Sequence, residues 1–156
     1  MKRVAIWNDG VVPEELGGGT RGNDTFKPTF DLALLSEEVK EFYKAMAKND
    51  LVEMFDAVAD MKFVWEGIEF KYGCTSYSYT ASSLDEFYNN ERAFNAIRSY
   101  YFGHFNTVCE LLYKEVMKLT CATNQDETYN FTLDTINEVF DIVCTANEQK
   151  GTIKDT

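Results

Sequence analysis

A chain of 156 residues that is 45% hydrophobic and 15% aromatic can bury a core within one domain and is not a wholly disordered polypeptide. Its net charge of −11 argues against nucleic-acid polymers as partners, because a phosphate backbone calls for a basic face. A single nucleotide stays compatible, since a bound divalent cation reverses the local sign.

Residues 1–27 read as an N-terminal arm. Met1–Trp7 fits a short strand or a packed arm, and the turn-rich stretch from Asn8 to Asp24 holds Pro13 and Gly17-Gly18-Gly19. That glycine run lacks the Gly-Lys-Ser/Thr ending of a phosphate-binding loop, so it reads as a flexible segment, with Arg21 an ordinary exposed arginine. From Pro28 the pattern turns helical, with Leu35, Val39, Phe42 and Met46 forming a core-facing stripe. Asn49-Asp50 interrupts it, and Asp50 is placed to cap a second helix running from Leu51 to Tyr72 and stopping at Gly73. Met54, Val58, Met61, Trp65 and Ile68 make the main apolar face of this helix. A second line runs through Glu53, Asp56, Asp60, Val64 and Gly67 and reads as protein-facing because its distal half is apolar or small.

Residues 74–83 form a polar connection, and Ser83 with Glu86 makes a capping-box signature for a third helix. That helix carries Phe87, Phe94, Ile97, Tyr101, Phe105, Val108, Leu112 and Val116, with a break expected near Gly103. A loop over 121–130 is expected before a fourth helix from Thr132 to Asn147 on Leu133, Ile136, Phe140 and Val143, and residues 151–156 read as a polar tail. The fold class is all-α: a helical bundle of about four main helices over residues 28–150. Cys74, Cys109, Cys121 and Cys144 show no C-x-x-C pair and no zinc-like spacing; without a basic-then-apolar leader they read as reduced thiols in a cytoplasmic protein. No apolar run reaches bilayer-spanning length, so no membrane partner is expected.

Glu38 and Glu41 on the first helix, and Glu53 and Asp56 on the second, are carboxylate pairs at i, i+3, and such pairs project side by side. Two helices folded back on each other would bring four carboxylates around one point, where like charges repel unless a hard cation neutralises them. Charge-rich helix faces are common, so a solvated surface is the plain reading against which a metal site is weighed. A di-iron or di-manganese bundle needs Glu-x-x-His on two helices, whereas His104, the only histidine, follows Tyr101 at that spacing. What remains is an all-oxygen site suited to Mg²⁺ or Mn²⁺, ions that mostly serve phosphorylated substrates.

Glu37-Glu38-x-x-Glu41 followed by Glu53-x-x-Asp56 resembles the E-E-x-x-E…E-x-x-D signature of the all-α nucleoside triphosphate pyrophosphatases, which include the MazG-like enzymes, dimeric dUTPases and phosphoribosyl-ATP pyrophosphohydrolase. The likeness takes in Leu34 to Ala45, Asp50 to Asp60 with Phe63, Val64, Gly67 and Gly73, and a segment from Phe140 ending in Asn147-Glu-Gln-Lys150. The resemblance implies hydrolysis of a nucleoside triphosphate between its α- and β-phosphates, giving monophosphate and pyrophosphate. It implies Glu38, Glu41, Glu53 and Asp56 as ligands of Mg²⁺, with Mn²⁺ as substitute, and Glu37 together with Glu38 acting on the attacking water. Asp60 follows as an outer support of the site, Asn147 and Lys150 as contacts to phosphate or sugar oxygens, and a homo-oligomer, dimer or tetramer, as the assembly. Cys144 stands where the family usually has histidine, and the stretch after Gly73 has no counterpart in the compact members. Its aromatics, among them Tyr88, Tyr100 and Phe102, read mainly as core, with a nucleobase pocket or a dimer surface as the other uses, and Trp65 reads as core with base stacking as its alternative. The alternative function is a catalytically silent module of the same fold that dimerises or binds a partner; a plain acidic helical adaptor is the third.

Overall fold

The computed structural model describes the backbone of residues 27–73 and 84–154 and the side chains of 27–71 and 89–149. The N-terminal arm with Gly17–Gly19 and Arg21, the connection with Cys74 and Ser83, and the side chains of Glu86, Phe87, Tyr88 and Lys150 lie outside the described residues. Four helices follow one another: α1 (Pro28–Ala47), α2 (Leu51–Gly73), α3 (Leu84–Thr120) and α4 (Gln125–Lys154). Among the described residues there is no strand, and the all-α bundle expected from the periodicity is the fold.

Local chemistry sets the helix ends. Pro28 suits the first turn of α1, where its missing N–H would have had no helical partner. At the other end Asn49 takes a left-handed backbone, φ 55°, which asparagine tolerates better than most side chains. Its N–H donates to the Met46 carbonyl at 3.0 Å and the Asp50 N–H to the Ala45 carbonyl at 3.0 Å, so the last carbonyls of α1 are satisfied in a Schellman-type close. Asp50 then accepts from the Glu53 N–H at 3.1 Å and starts α2 as its side-chain cap. Between Ala47 and Leu51 only three residues turn the chain, which makes α1 and α2 a tight antiparallel hairpin.

Helix α2 is the hub. It packs against α1, α3 and α4, while α3 also touches α1 and α4. Leu35, Phe42, Met54, Val58, Met61, Val108 and Leu112 are fully enclosed in one core built by α1, α2 and α3, which Ile136 of α4 joins. Each such side chain contributes about 1.5–3 kcal/mol relative to exposure. A second cluster joins Ala59 of α2 to Phe140, Val143 and Cys144 of α4.

Two boundaries differ from the expectation. Helix α3 runs through Gly103 without a break; a side chain there would meet open space, so glycine marks no close approach and the flanking core contacts carry the helix across it. Helix α4 begins at Gln125, seven residues before Thr132, and continues to Lys154 through most of the segment read as tail. Asn124 explains the early start: it accepts from the Glu127 N–H at 3.0 Å as an N-cap. Thr128 and Thr132 fold their hydroxyls back onto the carbonyls of Asn124 and Thr128, so their polar atoms are satisfied inside a helix. No described helix is long and apolar enough to cross a membrane.

Candidate functional site

The hairpin turn aligns α1 and α2 so that carboxylates of the two helices act on one another across the interface. Glu38 is half-buried on α1. Its carboxyl is pushed up to about 7, first by burial and then by the negative charges of Asp60, Glu41, Asp56 and Glu37. Two of these neighbours belong to α1 and two to α2, so five carboxylates form one electrostatic unit centred on Glu38. Asp56 and Asp60 are themselves half-buried, whereas Glu37 and Glu41 are exposed. Glu41 also lies 3.5 Å from Lys44 one turn along, an exposed pair of little energetic weight.

Glu53 sits differently. It is exposed in the first turn of α2, its N–H is capped by Asp50, and it is not among the charges that act on Glu38. Asp60, read from the sequence as an outer support, ranks first among the charges that do. The signal for it was present: Asp56 and Asp60 are one turn apart, and the second line on α2 passes through both. Helical periodicity alone does not say how far along that line the facing helix reaches; the brevity of the turn decides it.

The donor set of this cluster is all carboxylate oxygen, which fits a hard divalent cation and no softer one. As the side chains stand, no three His, Cys, Asp or Glu residues among those described are gathered tightly enough to chelate an ion. The arrangement is therefore a concentration of negative charge that a cation would relieve.

On α4, Asn147 is half-buried and its amide nitrogen donates to the Val143 carbonyl at 2.9 Å, turning the side chain along its own helix. Cys144 is buried against the cluster at Ala59, next to Asp60 in sequence. The α4 wall also receives Lys62, whose ammonium donates to the Asn137 side-chain Oδ1 at 3.4 Å and lies 4.2 Å from the centre of the Phe140 ring. Sequence reasoning passed over Lys62 because nothing in α2 alone marks it.

The aromatic residues of α3 mostly pack. Trp65 is 3% exposed and stacks on Tyr101 at 4.9 Å and on Phe94 at 5.7 Å. Phe105 stacks on Tyr101 in turn, and among the described aromatic residues of α3 only Phe102, 42% exposed, reaches well into solvent. His104 leans on Tyr100 with ring centres 4.3 Å apart. Cys109, Cys121 and Cys144 are free thiols, and burial pushes Cys109 up to about 11, which keeps it protonated and unreactive.

Residues 26–75, which span α1, the turn and α2, match the family described as phosphoribosyl-ATP pyrophosphohydrolase. The resemblance read from the acidic motif thus has a family match over this hairpin, which is 50 of the 156 residues. Neither the curated proteins nor the solved structures compared give a match.

Proposed function

From a carboxylate-lined hairpin that matches the phosphoribosyl-ATP pyrophosphohydrolase family, we propose that this protein is a Mg²⁺-dependent nucleoside triphosphate pyrophosphohydrolase. The reaction would cleave an NTP or dNTP between its α- and β-phosphates. The observation that carries the reading is the electrostatic grouping of Glu37, Glu38 and Glu41 of α1 with Asp56 and Asp60 of α2 inside the matched segment.

When bound, the ion would neutralise phosphate oxygens and lower the pKa of a water molecule. Glu38, Glu41 and Asp56 are the residues to hold it. Asp60 joins them, because it acts on Glu38 from the facing helix more strongly than any other charge. Glu53, at the turn end of α2, takes a lesser part. Glu37, exposed beside Glu38, orients the attacking water and receives its proton. Positioning and charge neutralisation supply most of the rate in such a displacement, so rigid carriage of the carboxylates matters more than any one nucleophile. Asn147 and Lys150 of α4 would supply an amide and an ammonium to phosphate or sugar oxygens, the Asn147 amide exchanging its bond to the Val143 carbonyl for one to substrate. A homo-oligomer in the cytoplasm is the setting in which we place the enzyme.

The deciding experiment incubates the protein with Mg²⁺ and a panel of common and modified NTPs and dNTPs, and measures pyrophosphate. Release of pyrophosphate and monophosphate, lost on chelation, is the expected result. Release of orthophosphate would overturn the bond assignment, and no release across the panel would favour the silent, partner-binding module.

A further inference from the structure

At the open end of the hairpin, opposite the turn, Lys71 of α2 donates to Asp31 of α1 at 2.6 Å. Both side chains are taken out of water, at 2% residue exposure for Asp31 and 7% for Lys71. They are forty positions apart in sequence, so the pair ties the first turn of α1 to the last turn of α2. Removing two ions from water is costly, and such a pair adds little net stability over apolar side chains of similar size. What it adds is directional: an apolar contact tolerates sliding and rotation, whereas a buried, hydrogen-bonded ion pair favours one geometry.

The pair shares its helix faces with the carboxylate site. Asp31 and Glu38 are seven residues apart on α1, which at 3.6 residues per turn places them within about 20° of one stripe. Asp60 and Lys71 are eleven residues apart on α2, close to three full turns, and share a stripe to a similar tolerance. The rotation of each helix that seats Asp31 on Lys71 is therefore the rotation that turns Glu38 toward Asp60. The two contacts have opposite signs: carboxylates repel at Glu38, tending to roll α1 away, and an ion pair two turns away on α1 resists that roll.

We infer that the Asp31–Lys71 pair is a positioning device for the carboxylate site, fixing the rotation and register of α1 on α2 so that Glu38 stays on the face turned toward Asp56 and Asp60. The inference rests on the proposed function only for the use of those carboxylates; the positioning itself is a property of the hairpin. Asp31 and Lys71 touch neither substrate nor ion in this scheme.

The test compares wild type with Asp31→Leu/Lys71→Leu, which keeps the contact buried without charge, and with Asp31→Asn, a milder variant that retains shape and a hydrogen bond. Spin-labelled unnatural amino acids at the exposed positions Lys40 and Val52 report the setting of α1 on α2 without any metal. Mn²⁺ affinity, read by electron paramagnetic resonance, reports the site. In a folded variant the label distance should broaden or move by about 3 Å, half the rise of a helical turn. The Mn²⁺ dissociation constant should rise about 10–100-fold, the range for residues that orient metal ligands. A wild-type label distance and wild-type Mn²⁺ affinity in a folded uncharged variant would overturn the inference. A shifted distance in a protein whose wild type does not bind Mn²⁺ would uphold the positioning and overturn the metal reading.

Discussion

Asp60 on α2 acts on Glu38 on α1 more strongly than either of the acidic neighbours that share Glu38's own helix. Burial comes first and Asp60 next in raising that carboxyl to about 7, well above its ordinary value of 4.5. A carboxyl whose folded-state pKa is raised contributes stability that is fully present below its unfolded value and is lost as pH climbs through the folded one. For Glu38 that loss falls between about pH 4.5 and 7. Glu38→Gln, neutral at every pH, should therefore melt higher than wild type at pH 8 in the presence of a chelator. The gain should be on the order of 1 kcal/mol after discounting for the solvent that screens a half-exposed group, or a few degrees. At pH 4 the difference should vanish. Thermal melts at the two pH values decide it, and an unchanged gap would mean that the stabilisation has another source.

The same facing relationship ranks the α2 acids. Asp60→Asn should lower Mg²⁺-dependent pyrophosphate release by about 100-fold, nearly 3 kcal/mol of transition-state stabilisation. Glu53→Gln should cost less than about tenfold, because Glu53 lies at the turn and does not act on Glu38. Steady-state rates of the two variants, alongside their melting temperatures, make the comparison. Equal losses, or a larger one at Glu53, would return Glu53 to the centre of the site.

How much of this was legible follows from which signals are local. The apolar stripe of Leu35, Val39 and Phe42 and the Asp50 cap are each written within a few residues, and each is where the periodicity put it. The extent of α3 and α4 was not, because it depends on packing: Gly103 is carried by a core formed with α2, and Asn124 caps a helix whose first turns lack a strong apolar pattern. At the acidic site the residue types were readable and their ranking was not. Distance between helices is a product of the turn, and a local carboxylate spacing such as Glu53–Asp56 contains no information about what stands opposite. The Asp31–Lys71 tie was invisible for the same reason, since forty residues separate two charges that look like ordinary surface groups.

Asp50 holds the turn end of the hairpin as Asp31 and Lys71 hold the open end. Asp50→Ala should cost about 1 kcal/mol, the usual loss for an N-cap, and should lower the denaturation midpoint with little change in slope. Asn49→Gly should be neutral or slightly stabilising, since glycine adopts a φ of 55° without a side-chain penalty. Chemical denaturation of the two variants checks both signs. A neutral Asp50→Ala would show that the backbone bonds of the turn suffice to start α2.

Trp65 separates a packing residue from a ligand-stacking one. With Tyr101 and Phe94 of α3 stacked on it and 3% of its surface exposed, its ring is already engaged, and a nucleobase would have to displace one of them. Trp65→Ala should therefore act through the core, at about 3–5 kcal/mol, lowering the melting temperature by roughly 10 °C in a domain of this size. Trp65→Phe, which keeps an aromatic face, should recover much of that loss. Measured at a temperature where both variants stay folded, KM for the nucleotide should stay close to wild type while stability moves. If Trp65→Ala instead leaves the melting temperature in place and raises KM for one base over another, the ring belongs to the substrate pocket, and α3 has to open to admit the base.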